Sequence, residues 1–145
     1  MLKKHIEKDN IIRLISHNDA DGLSAAGVIA NAIKEEGGQF HITIVPRLKS
    51  DVIRSLSHEK YELYVFCDMG SACIKPLNSL NGDIIVADHH QPSKTVAKDH
   101  ISHVNPHLFG IDGSRELSGA GSSYLVVRNM DKKHLAYMAL VGAFG

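Results

Sequence analysis

Three short stretches, "SHNDADG" (16–22), "FCDMGS" (66–71) and "VADHHQP" (86–92), place carboxylates and imidazoles directly behind apolar runs. These are the oxygen and nitrogen donors that divalent cations need, and cations held about 3.5–4 Å apart drive hydrolysis of phosphate esters. Asp19 and Asp21 bracket a single alanine, a spacing that on a tight loop sends one carboxylate to each of two ions. The competing reading is a helix N-cap, where an acid is common and stabilising. Asp68, alone behind "YVFC", reads as a cap, a turn residue or the carboxylate that bridges two ions. Asp88, His89 and His90 read as a polar turn or as a ligand set. Neighbours on a strand point to opposite faces, so one histidine would bind metal and the other face substrate, with Asp88 fixing a ring tautomer. Oxygen and nitrogen donors without a cysteine ligand suit manganese or magnesium better than structural zinc.

Such side chains act together only if the fold gathers them, and the hydropathy pattern says how. Short apolar runs at 10–16, 40–46, 61–69 and 82–88, with a weaker one at 100–106, read as five strands. Amphipathic or short helical segments follow at 22–38, 50–59 and 74–81, and two more helices start from Ser118 and Lys132. Ser50 or Asp51 reads as the cap of the second segment. Alternating strands and helices imply an α/β fold: an open, mainly parallel five-stranded sheet with helices on both faces, doubly wound and Rossmann-like, strand order about 2-1-3-4-5. In such sheets ligands bind beyond the carboxyl ends of the strands, where each acidic cluster lies. With strands about 4.8 Å apart, adjacency of the first, third and fourth brings Asp19, Asp21, Asp68 and His89 together. "ELSGAGSS" (116–123) is a glycine-broken helix start with Ser118 as cap. Its amides at Gly119 and Gly121 either hold a phosphate oxygen or mark only tight helix packing. Arg47, Lys49 and Arg54 read as backbone contacts or as a solvated helix face.

Composition narrows the class. A chain of 145 residues suits one domain with a sizeable core. Sixteen basic residues balance sixteen acidic ones, so a nucleic-acid partner would need a local groove rather than a bulk positive field. Cys67 and Cys73 lack CxxC spacing and point to a reduced, cytoplasmic setting. No apolar run approaches the ~20 residues of a membrane span, and "MLKKHIEKDN" lacks the apolar core of a signal peptide. Of ten histidines, only His17, His89 and His90 stand beside carboxylates at strand ends.

The ordered set "HNDADG", "CDMG", "DHH" and "SGAG" resembles the DHH phosphoesterase family from Ser16 to Gly145, and within it the RecJ-like branch. It is most similar to archaeal RecJ-type proteins, whose full forms are single-strand nucleases. The resemblance implies two divalent cations, manganese preferred and magnesium as the alternative, and a water between them attacking phosphorus in line. Matched by motif, Asp19 and Asp21 are the paired acids, Asp68 the bridging acid, His89 a metal ligand and His90 the phosphate contact. Many relatives carry a histidine where this chain has Ile15, and His17 is expected to supply that nitrogen. Relatives also carry a further metal-binding Asp soon after an "ALVGAFG"-like helix, and a smaller C-terminal substrate-binding domain. Residues 1–145 are therefore expected to be a truncated catalytic domain with poor metal affinity and turnover by itself. The expected activity is 5′-3′ exonucleolytic hydrolysis of single-stranded nucleic acid, with replication or repair proteins as partners. The alternatives are a short-oligonucleotide or cyclic-dinucleotide phosphodiesterase, and a replication-complex scaffold without useful catalysis.

Overall fold

The computed structural model describes residues 1–144. After a short first helix, α1 (Leu2–Ile6), five strands follow: β1 (Ile12–Ser16), β2 (Phe40–Ile44), β3 (Leu63–Cys67), β4 (Asp83–Ala87) and β5 (Ile101–Val104). They form one all-parallel sheet in the order β2-β1-β3-β4-β5. The helices are α2 (Ala20–Glu35), α3 (Ser50–Ser57), α4 (Ile74–Leu77), α5 (Gly119–Val127) and α6 (Ala136–Ala143).

Alternation of side chains along each strand divides the core in two. Ile12, Leu14, Val65, Cys67 and Ile85 pack beneath α2, α5 and α6, with Val28, Ile29 and Ile33 of α2 at the centre. Ile15, Tyr64, Phe66, Ile84 and Val86 face the other way, against Ile53 and Leu56 of α3 and Ile74 and Leu77 of α4. Every residue of β1 and β3 is buried, which is why these segments read as largely apolar runs, interrupted in β1 by Arg13 and Ser16. The doubly wound fold and strand order match the expectation.

Register places the chemistry. Ser16 pairs with Cys67, and Cys67 with Ala87, so these three form one rung across the sheet. The next residues, His17, Asp68 and Asp88, leave the sheet together at its carboxyl edge. Local details depart from the sequence reading. Asp21 lies in the first turn of α2 rather than on a free loop. The N-cap of α3 is Lys49, without a side-chain cap bond, so neither Ser50 nor Asp51 caps it. The alternating strand β2 is exposed along most of its length, as an edge strand with little covering it. Helix α1, absent from the sequence reading, buries Leu2, His5 and Ile6.

Candidate metal centre

The site is built on Asp68. Its backbone turns with φ of 56°, a left-handed conformation that Asp tolerates better than most residues. The turn is pinned by the Asp68 amide donating to the Ala87 carbonyl at 2.8 Å. The side chain is 1 % exposed, and its Oδ1 has no hydrogen-bond partner. Gly119 allows this position: a Cβ there would fall 2.1 Å from Asp68 Oδ1.

Two imidazoles aim at Asp68 from opposite sides. His89 Nδ1 lies 2.7 Å from the Gly113 carbonyl and donates to it, which leaves Nε2 facing Asp68 Oδ1 at 3.3 Å and Asp21 Oδ2 at 3.6 Å. His17 Nε2 lies 3.0 Å from the Pro46 carbonyl and donates to it. Its Nδ1 faces Asp19 Oδ2 at 2.7 Å and Asp68 Oδ2 at 3.8 Å, yet forms no hydrogen bond. A carbonyl behind each ring and carboxylates before it is the arrangement that presents an imidazole nitrogen to a cation.

Ligand atoms therefore cluster in two groups that share Asp68: His17, Asp19 and Asp68, and Asp68, His89 and His90, with the atoms of each group within 4.8 Å of one another. The orphaned Asp68 Oδ1 and His17 Nδ1 are donors that fit a divalent cation. Electrostatics agree. Burial drives the Asp68 carboxyl above the usual range, against the pull of His89. The Asp68 carboxylate in turn lifts His89 to about 9. The site holds more acid than its own donors neutralise.

The other acids do double duty. Asp19 is the N-cap of α2, with Oδ1 accepting from the Gly22 amide at 2.8 Å while Oδ2 faces the centre. The cap and ligand readings are thus compatible. Asp21 accepts from the amides of Gly119 and Ala120 at 2.7 and 2.8 Å, fastening the start of α5 to α2. Ser118 Oγ caps the same helix by accepting from Gly121. Of the two readings of this helix start, phosphate binding or tight packing, the bonds favour packing: the first-turn amides of α5 are already engaged.

Asp88 stands behind the centre and is buried. Its Oδ1 accepts from His90 Nδ1 at 2.7 Å and from the His89 amide at 2.8 Å, and its Oδ2 accepts from the Ser71 amide at 2.9 Å. Burial pushes its carboxyl up, but the bonds from the His90 ring and the Ser71 and His90 amides outweigh that and leave it below its ordinary value. The His90 ring is thereby held with Nε2 free, at a position half open to solvent. Asn105 Nδ2 donates to Ser71 Oγ and to the His90 carbonyl, both at 2.8 Å, and His103 Nε2 meets Ser71 Oγ at 2.8 Å. Ser71, His103, Asn105 and Gly113 were invisible as site residues, since nothing in their spacing links them to an acid. Two clefts flank Asp68 and His90: one of about 410 Å³ includes Ser114, Arg115 and Ser118, the other of about 340 Å³ includes Arg47, Leu48 and Met69. Arg47 lines the second cleft together with Asp68 and His90.

Comparison with known proteins agrees with this geometry. The N-terminal domain of the DHH family matches residues 11–142. An uncharacterized protein of Methanocaldococcus jannaschii is 39 % identical over 139 residues, covering 92 % of this chain and 32 % of that protein. The single-stranded-DNA-specific exonuclease RecJ of Bacillus subtilis is 26 % identical over 133 residues, covering 85 % of this chain and 17 % of its own length. The chain thus spans a third or less of these curated relatives. A crystal structure of exonuclease RecJ bound to manganese superposes with a TM-score of 0.79 at 24 % identity, covering 99 % of this chain and 40 % of that one. Motifs, sheet order and sequence match converge: the chain belongs to the DHH family, as an N-terminal DHH domain.

Proposed function

We propose that this chain is the catalytic domain of a longer, metal-dependent phosphoesterase that hydrolyses phosphodiester bonds in single-stranded nucleic acid from the 5′ end. The observation that carries the reading is the pair of ligand groups meeting at Asp68. Likeness to a single-stranded-DNA-specific exonuclease and to a manganese-bound RecJ supports manganese as the cation and a single strand as the substrate. When bound, two divalent cations supply an activated water and offset charge on the phosphoryl oxygens.

The chain's own residues do the positioning. His17, Asp19, Asp21, Asp68 and His89 hold the ions, with Asp68 between them. Asp88 keeps the His90 Nδ1 proton occupied, so Nε2 faces the cleft mouth and contacts a phosphoryl oxygen. Arg47, which lines the second cleft with Asp68 and His90, meets the strand's backbone. Ser118, Gly119 and Gly121 serve by placing α5 against Asp21 and Asp68. Among the described residues no helix is long and apolar enough to cross a membrane. The proposal sets the enzyme in the cytoplasm, beside replication or repair proteins.

The test is hydrolysis by a longer form carrying this domain, with manganese, of 5′-labelled single strands and of dinucleotides. Mononucleotides released from long strands support the proposal, whereas cleavage of dinucleotides alone replaces it with the short-oligonucleotide reading. Turnover that survives Asp68→Ala would remove Asp68 from the reaction.

A further inference from the structure

A cavity of about 690 Å³ lies at the other end of the sheet, by the amino ends of β3 and β4. Strands of five residues at about 3.3 Å per residue separate it from Asp68 by roughly 17 Å. The metal centre therefore does not account for it. Its walls carry Lys4, Lys8, Lys98 and His100, opposed by Glu62 and Asp83.

The balance within the cavity is what matters. Asp83 is already engaged, with Oδ2 accepting from His5 Nε2 at 2.9 Å, while His5 Nδ1 accepts from Asn10 Nδ2 at 3.0 Å. His5 is buried, and these bonds fix α1 over the sheet's end. Lys132 elsewhere sits between Glu35 and Glu36. By contrast, Lys4, Lys8 and Lys98 have no carboxylate within 4.0 Å among the described residues. Lys98 is nonetheless oriented, since its backbone amide donates to Asn78 Oδ1 at 2.9 Å and its Nζ to the Asn78 carbonyl at 3.2 Å. His100 Nε2 is buried without a partner. Three ammonium groups without a carboxylate partner thus ring one concavity, whereas the His100 nitrogen is buried in its wall.

We infer that this cavity binds a polyphosphoryl anion, through Lys4, Lys8 and Lys98, at a site separate from the metal centre. Ammonium groups are common phosphate partners, and the volume falls in the range of small-ligand sites. Glu62 sets the charge: a monoanion gains little against it, whereas two or more phosphoryl groups engage all three lysines. The same chemistry is offered by the diphosphate of a free nucleotide and by successive phosphates of a strand.

Calorimetric titration of the 145-residue chain in EDTA separates these sources, because without metal the carboxylates around Asp68 repel anions. The probes are inorganic phosphate, pyrophosphate, ATP and a twelve-residue oligothymidylate. Saturable one-site binding of pyrophosphate or ATP, at least tenfold tighter than phosphate and weakened at least tenfold in Lys4→Glu/Lys8→Glu, supports the site with a free nucleotide as its ligand. The same loss seen with the oligothymidylate, exceeding that with ATP, supports it with the strand as ligand. The exposed Lys133→Glu outside the cavity should leave binding unchanged. Absence of binding by every probe, or equal weakening by Lys133→Glu, overturns the inference. Metal-dependent hydrolysis is measured separately, so failure here leaves the phosphoesterase reading standing.

Discussion

At the scale of single residues, the proposed function has Asp68 placed for a cation rather than for stability. A buried carboxylate with an orphan oxygen, close to Asp21 and Asp88, costs the metal-free protein free energy. Asp68→Asn should therefore raise the urea midpoint in EDTA and abolish manganese binding; a lowered midpoint would mean that the carboxylate serves the apo fold. Gly119→Ala should weaken manganese binding by about 10–100-fold, the scale seen when the support of a ligand is disturbed, because its Cβ and Asp68 Oδ1 cannot share the space. Manganese titration checks this, and unchanged affinity would show that α5 can retreat freely. The acids and histidines were legible because each follows an apolar run. Their supports were not: Gly113 and Pro46 act through carbonyls that every residue carries, and only the folded path reveals which carbonyl faces His89 or His17.

At the scale of elements, the sheet is what brings residues 17, 68 and 89 to one rim. Phe66, fully buried on β3 between α3, α4 and the sheet, holds the strand that carries Asp68. Phe66→Ala should destabilise by about 3–5 kcal/mol. The exposed Ile42→Thr on β2 should change stability by less than about 0.5 kcal/mol. Urea unfolding of the two variants measures the contrast, and equal effects would contradict the assigned core. β1, β3 and β4 were legible because burial on both faces makes most of their residues apolar, with Arg13, Ser16 and Asp83 as the exceptions. The free flank of β2 was not, since alternation reports a strand without saying what covers it. The cap of α3 also escaped the sequence, because Ser50 and Asp51 fit the cap rule equally well while the chain turns one residue earlier at Lys49. α1 is too short for a periodic pattern.

At the scale of the whole molecule, the two ends of the sheet carry opposite charge problems. Acids crowd the carboxyl edge and unpaired lysines ring the cavity at the amino edge. A cation bound only by the native state stabilises it, by about 2.7 kcal/mol at a hundredfold excess over its dissociation constant, or on the order of 10 °C in a domain of this size. The most direct measurement is thermal unfolding of the wild-type chain and of Asp68→Asn, each with EDTA and with saturating manganese. A metal centre built on Asp68 predicts a rise of that order in the wild type and none in the variant. An equal rise in both proteins, or none in either, would contradict it.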